Sequence, residues 1–184
     1  PKLIEEFTNK IIRNGHELTR IIGDVLDLSK IEAHTFFLES SEINLSRFLG
    51  DIDAIWRPQV EAKRLKFHVA KHPGVPERFV SDGTRLKQIF VNLLSNSLKF
   101  TDEGSITVDL QVASDGSRLQ FTFQDSGPGI PAAHQSQLFR SFSQGDSSIT
   151  RKYGGSGLGL ALSKQLAKAM EGDLVLEDSA PGQG

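Results

Sequence analysis

The chain has 184 residues, a formal net charge of −2, 38% hydrophobic and 24% charged residues, and no cysteine. That is enough for one domain with a real core plus an appended element, or for two small units. The missing cysteines exclude disulfides, thiolate metal sites and a cysteine nucleophile. The near-neutral charge, with no stripe of Lys or Arg, argues against a nucleic-acid partner.

No apolar run reaches the length of a membrane-spanning helix. The start, PKLIEEF, lacks the pattern of a signal peptide, so a cytoplasmic chain without membrane contact is expected, cut from a longer protein that is itself anchored through other regions if at all.

Residues 3 to about 35 read as one long helix. Ile4, Phe7, Ile11, Asn14, Leu18, Ile21, Val25 and Leu28 alternate in steps of three and four, the seam of a helix that needs partner helices. No second helix beside it is evident in the sequence. A linker from about His34 to Asn44 leads to a helix over about 46–64, with Phe48, Leu49, Ile52 and Ile55 as its apolar face. Short strands are predicted at 66–70 and 78–81, around the turn-rich HPGVP. A third helix follows over about 82–100.

Residues 104–125 read as a hairpin, because Ile106, Val108, Leu110 and Val112 alternate outward and Leu119, Phe121 and Phe123 alternate back. A glycine-rich stretch over about 126–157, with a short helix near 134–140, has the length of a lid. A last helix over about 158–171 and a strand near 173–178 close the pattern.

Three features carry chemistry. Asp125 keeps the parity of Leu119, Phe121 and Phe123, so its carboxylate points to the core face and needs a donor. Gly127 and Gly129 follow at once and leave room for a close approach. On the third helix Asn92, Asn96 and Lys99 share one face that Gln88 extends backwards; amide oxygens suit a hard cation and a lysine suits phosphate. Residues 154–160, GGSGLGL, open the last helix, where backbone N–H groups and the helix dipole favour an anion.

In this order and spacing the motifs resemble those of sensor histidine kinases of two-component signalling, the hybrid-type branch most. VNLLSNSLKFT resembles the N box, DSGPGI the first glycine box, LFRSFSQ the phenylalanine box and GGSGLGLALSK the second glycine box, while PGQG is similar to the start of the third. The resemblance implies an α+β fold of the Bergerat ATP-binding type, a mixed sheet backed by three helices and preceded by one long helix of a dimerisation hairpin. Residues 1–36 would be the second helix of that hairpin, and residues 37–184 the catalytic ATP-binding domain with its last strand cut.

ATP and Mg²⁺ are the implied cofactors. Asp125 would accept from the adenine amino group, Asn96 would ligate Mg²⁺ with Asn92 beside it, and Lys99 and Arg151 would contact phosphate. By the resemblance Asn92, Asn96 and Lys99 would form the catalytic set. Gly127, Gly129, Gly155, Gly157 and Gly159 would give the backbone its room. Ile130, Phe139, Phe142, Ser156 and Leu158 lie in the same boxes, and together with Lys152 they would complete the nucleotide site.

The γ-phosphoryl group would pass to a histidine on the hairpin and then to an aspartate of a response-regulator receiver domain, within a homodimer. His16, in NGHELTRII, copies part of the acceptor motif but lacks its proline. The segment ending DLSKIEA instead resembles the hairpin's second helix, and the heptad puts His16 at f, away from the seam. The acceptor and first helix are therefore expected to be missing, and the chain is expected to bind ATP without phosphorylating itself. His34, His68, His72 and His134 read as surface or loop residues. Alternatives are a nucleotide-binding signalling scaffold without catalysis, or another ATPase of the fold, such as a gyrase-type topoisomerase or MutL-type repair protein.

Overall fold

A computed structural model describes residues 2–141, 156–180, 182 and 184. Helix α1 spans Lys2–Glu32, and its apolar periodicity makes it continuous over 31 residues. It ends in a left-handed turn: His34 sits at φ 55°. Thr35 N–H donates to the Lys30 carbonyl and His34 N–H to that of Ile31, satisfying carbonyls that the helix end leaves open.

Strand β1 (Ser41–Asn44) comes next, then α2 (Leu45–Ala62), β2 (Lys66–Lys71) and β3 (Arg78–Ser81). Helix α3 spans Gly83–Phe100, followed by the hairpin β4 (Ser105–Val112) and β5 (Leu119–Asp125), the four-residue α4 (Ala132–Gln135) and α5 (Gly159–Ala169). Asn44 and Asp82 start α2 and α3 by accepting from the N–H groups of Arg47 and Arg85. Asp82 also accepts from Glu39 N–H, which ties the segment after α1 to the start of α3.

The central sheet has the order β2-β4-β5, with β2 parallel and β5 antiparallel to β4. β1 and β3 pair antiparallel as a separate ribbon. On one sheet face Ile106, Val108 and Leu110 are fully buried under α2 and α3. Phe90 of α3 is the hub of this core, meeting Phe48, Phe121 and Phe123 edge-on at centroid distances of 5.1, 5.2 and 4.8 Å. A second cluster joins α1, α3 and α5 through Leu28, Ile89, Leu158, Leu162 and Leu166.

Several expectations are corrected. The linker holds a strand, β1, which hides because four residues with one buried side chain carry no readable period. On α2 the inward position belongs to Trp56, while Ile55 is 45% exposed. No strand forms over 173–178. Lys164 Nζ occupies the Leu174 carbonyl at 2.6 Å, and this segment meets β5 through the side chains of Glu177 and Gln120. The short helix stops at Gln135 rather than near 140.

The expected seam of α1 is split as well. Ile4, Phe7, Ile11, Leu18 and Val25 are exposed, whereas Leu28 is buried and Ile21 and Ile31 pack beside it against α5. The last turns of α1 thus find a partner helix within this chain. Among the described residues no helix is long and apolar enough to cross a membrane.

Candidate functional site

A broad cleft opens between α3, β5, the turn after β5 and the start of α5, with the middle of α1 along its rim. The pleat of the hairpin places Asp125 as expected: it stands opposite Ile106, two residues beyond the Val108–Phe123 pair, on the same face. Its Oδ2 accepts from Ser97 Oγ at 2.9 Å and its Oδ1 from Gly127 N–H at 3.0 Å. A carboxylate in this half-buried position therefore has donors for both oxygens.

The glycines are required by close contacts. A Cβ on Gly127 would stand 2.8 Å from Asp125 Oδ1 and 3.3 Å from the Phe100 carbonyl. Gly129, at φ 71°, would push a Cβ into the Ala180 carbonyl oxygen, and Ile130 N–H donates to Ser179 Oγ at 2.8 Å. The residues after α5 thereby close one end of the cleft.

Asn92, Asn96 and Lys99 share one α3 face, as their spacing requires, but they have different surroundings. Asn92 Nδ2 donates to Ser163 Oγ at 2.8 Å, and its Oδ1 lies where a Cβ on Gly159 would collide. Its amide is thus the joint between α3 and α5. Asn96 is half-buried at the cleft, and no hydrogen bond engages its amide among the described residues. Lys99 stacks its ammonium 4.9 Å over the Phe100 ring. Burial pushes its amine below the usual lysine range, Glu17 pulls it back up and Arg20 pushes it further down.

Sequence reasoning missed what α1 brings here. Arg20 bridges Glu17 and Asp24, each at 2.7 Å, and this triad faces Lys99 across the cleft rim. The Arg20 hydrogen bonds hold the Glu17 carboxyl below the usual range. Further along, Asp27 meets Arg85 and Gln88 of α3. Ser97 and Ser163 were also missed. The available signal was a serine at a position where the buried stripe of its helix calls for an apolar residue.

Ser156, Gly157 and Leu158 lead into α5. Gly157 sits at φ 67°, Leu158 is buried, and among the described residues no side chain caps the helix start, which leaves its first N–H groups for an anion. Phe139 lies 5.2 Å from the Lys164 ammonium. Phe142, Arg151, Lys152 and Gly155 fall outside the described residues. His134 is half-buried at the cleft edge; His16, His34, His68 and His72 are exposed.

The profile of the histidine kinase-, DNA gyrase B- and HSP90-like ATPases matches residues 81–184, from the end of β3 to the last residue. The chain belongs to that family. The fold expected from the motifs is the fold of this ATPase family, and the site lies within the matched region. Among curated relatives, hybrid signal transduction histidine kinase B of Dictyostelium discoideum is 41% identical over 94% of this chain, which covers 9% of that protein. Sensor histidine kinase RcsC of Escherichia coli (strain K12) is 38% identical over 100% of this chain and 19% of its own length.

The crystal structure of full-length ShkA in complex with AMPPNP is similar with a TM-score of 0.83 and 27% identity, over 98% of this chain and 36% of that one. The chain therefore spans well under a quarter of the length of the two curated relatives named. The expected kinship with hybrid-type sensor histidine kinases agrees with these similarities.

Proposed function

We propose that this ATPase-family chain is the ATP- and Mg²⁺-binding catalytic part of a sensor histidine kinase. In this reading it passes the γ-phosphoryl group of ATP to a histidine on a dimerisation hairpin, for relay to an aspartate of a response-regulator receiver domain. Residues 1–36 belong to the hairpin and residues 37–184 to the catalytic domain, and the full-length protein works as a homodimer. The observation that carries the reading is the paired carboxylate of Asp125 beside Gly127, at one end of a cleft whose wall is the Asn92, Asn96 and Lys99 face.

These residues fit the two cofactors. A Cβ on Gly127 would crowd the Asp125 carboxylate, so glycine there keeps it in place on the lining of the cleft, where the edge of a flat base would meet it. The Asn96 amide oxygen is a hard ligand without a competing hydrogen bond among the described residues, and no cluster of His, Asp or Glu there offers a rival metal site. When bound, Mg²⁺ neutralises charge on the phosphates. Lys99 adds a cation on the same wall, and the partial desolvation that lowers its amine makes an anionic partner more favourable. Arg151 belongs to the phosphate contacts in this reading, and Lys152 to the nucleotide site beside it.

Phosphoryl transfer needs positioning and charge neutralisation more than covalent chemistry from the binding domain. Asn92 has no basic carboxylate with which to activate water, and its amide is committed to the α3–α5 joint. That favours transfer to a presented histidine over steady hydrolysis. His16 is not the acceptor in this reading.

The test is label transfer from γ-labelled ATP with Mg²⁺, on this chain and on His16→Gln, with and without an added hairpin helix that carries the acceptor motif. Label on the added helix alone, unchanged by the substitution, is the expected result. Acid-labile label on the chain itself, lost in His16→Gln, overturns the assignment of His16. Bound ATP with no transfer to either marks a signalling scaffold instead.

A further inference from the structure

The buried stripe of α3 runs through Leu86, Phe90 and Leu94, and its next members are not apolar. They are Ser97 and, just past the helix end, Thr101, 6% and 0% exposed. A hydroxyl on a core stripe is unfavourable unless it has a partner. Ser97 has one, the Asp125 Oδ2 at 2.9 Å. Thr101 Oγ1 has none among the described residues. It lies 3.4 Å from the point where a Cβ on Gly127 would stand, and Asp125 Oδ1 lies 2.8 Å from the same point.

We propose that Ser97 is a positioning residue that sets the selectivity of the cleft for an adenine base, acting through Asp125. The inference rests on the proposed role of Asp125 as the acceptor for that base. A carboxylate only accepts, and the torsion that turns its plane is soft. The Ser97 hydroxyl holds Oδ2 from inside α3 and Gly127 N–H holds Oδ1 from the following turn, so the plane is fixed between them. The remaining lone pairs are left for a donor in the cleft that Asp125 lines.

A 6-amino group donates to that edge. A 6-oxo group brings an acceptor against an acceptor and is rejected. Without Ser97 the carboxylate keeps one tether, turns more freely, and discriminates less. Because α3 also carries Asn96 and Lys99, the base end and the phosphate end of the cleft are set by one helix.

The experiment measures the affinity of the chain, with Mg²⁺, for ATP and for purine riboside triphosphate, which lacks the 6-amino group. Ser97→Ala is expected to lower the preference for ATP roughly threefold to tenfold, with affinity for the analogue unchanged. Ser97→Thr, which keeps the hydroxyl, restores the preference. If the alanine variant melts below the assay temperature, Ser97→Cys, close in size and a weak donor, carries the same comparison.

An unchanged preference overturns the proposal, and so does an equal loss for both nucleotides, the mark of a merely structural role. Failure of the unsubstituted chain to bind ATP is a different result: it overturns the proposed function itself, and this inference with it.

Discussion

Arg85 Nη1 lies 2.7 Å from Asp27 Oδ2, and this ion pair fastens α1 to the first turn of α3. The same guanidinium donates to Gln88 Oε1 at 2.9 Å and stacks 4.8 Å over the Phe36 ring, so it gathers the end of α1, the segment after it and α3. With side-chain exposures of 26% and 14%, the pair is shielded enough to matter. Arg85→Ala leaves the Asp27 carboxylate short of a donor, at a cost of about 1–3 kcal/mol. The expected outcome is a lower melting temperature together with faster amide exchange in the last two turns of α1. Unchanged exchange there would mean that Leu28 and Ile31 hold α1 by apolar contact alone.

Asn92 and Gly159 form a second joint, and it can be tested as a pair. A Cβ on Gly159 would stand 2.2 Å from Asn92 Oδ1, while Asn92 Nδ2 is held by Ser163. Gly159→Ala must then either turn the amide off Ser163 or push α5 from α3, at about 1–3 kcal/mol. In an Asn92→Ala background the obstacle is gone and the same substitution should cost little. Thermal unfolding of the two single variants and the double variant gives the coupling. Additive losses would show that the crowding around Gly159 comes from elsewhere.

Asp24 makes stability depend on pH in a defined sense. Burial raises its carboxyl above the usual range; the Arg20 guanidinium pulls it down without cancelling this, and Asp27 and Glu17 add to the rise. A carboxyl raised on folding binds its proton more tightly in the folded state. Its contribution is therefore most favourable at acidic pH and declines as pH rises through the folded value. Asp24→Asn mimics the protonated group. It should match the unsubstituted chain at the acid end of that range and gain on it towards neutral pH, as read from melting temperatures across the range. A variant that loses stability as pH rises would show that the Arg20 pair outweighs burial.

The site elements readable in the sequence were those carried by local periodicity. Strand parity alone placed Asp125 on the face of Phe121 and Phe123, and helical spacing aligned Asn92, Asn96 and Lys99. Contacts between distant segments leave no period. Nothing local shows that Ser97 reaches Asp125, that Ser163 holds Asn92, or that Asp27 meets Arg85.

The α1 pattern holds two uses for a related reason. Two adjacent faces overlap in its pattern: Ile21 and Leu28 look like seam residues yet pack against α5, while Leu18 and Val25 remain exposed. Trp56 and Ile55 both fit a broad apolar face in the sequence, and only the packing beneath α2 selects Trp56 as the buried one.

Helix ends were blurred because glycine, the usual left-handed terminator, is replaced by other residues. His34, Arg64 and Glu171 hold φ values of 55°, 62° and 61° just past α1, α2 and α5. Each follows one pattern, in which the next residue's N–H reaches back five positions: Thr35 to Lys30, Leu65 to Val60 and Gly172 to Ala167. A side chain in this conformation costs roughly 1–2 kcal/mol, whereas glycine adopts it freely and costs only some added entropy in the unfolded chain. All three side chains are exposed. His34→Gly, Arg64→Gly and Glu171→Gly should therefore each raise stability by about 0.5–1 kcal/mol, and additively, since the sites are on separate helices. Asp51→Gly, at an exposed interior position of α2, is the control and should lower stability by about 1 kcal/mol. Chemical denaturation of the four single variants and the triple decides. A loss at any of the three ends would mean that the side chain there contributes more than its backbone strain removes.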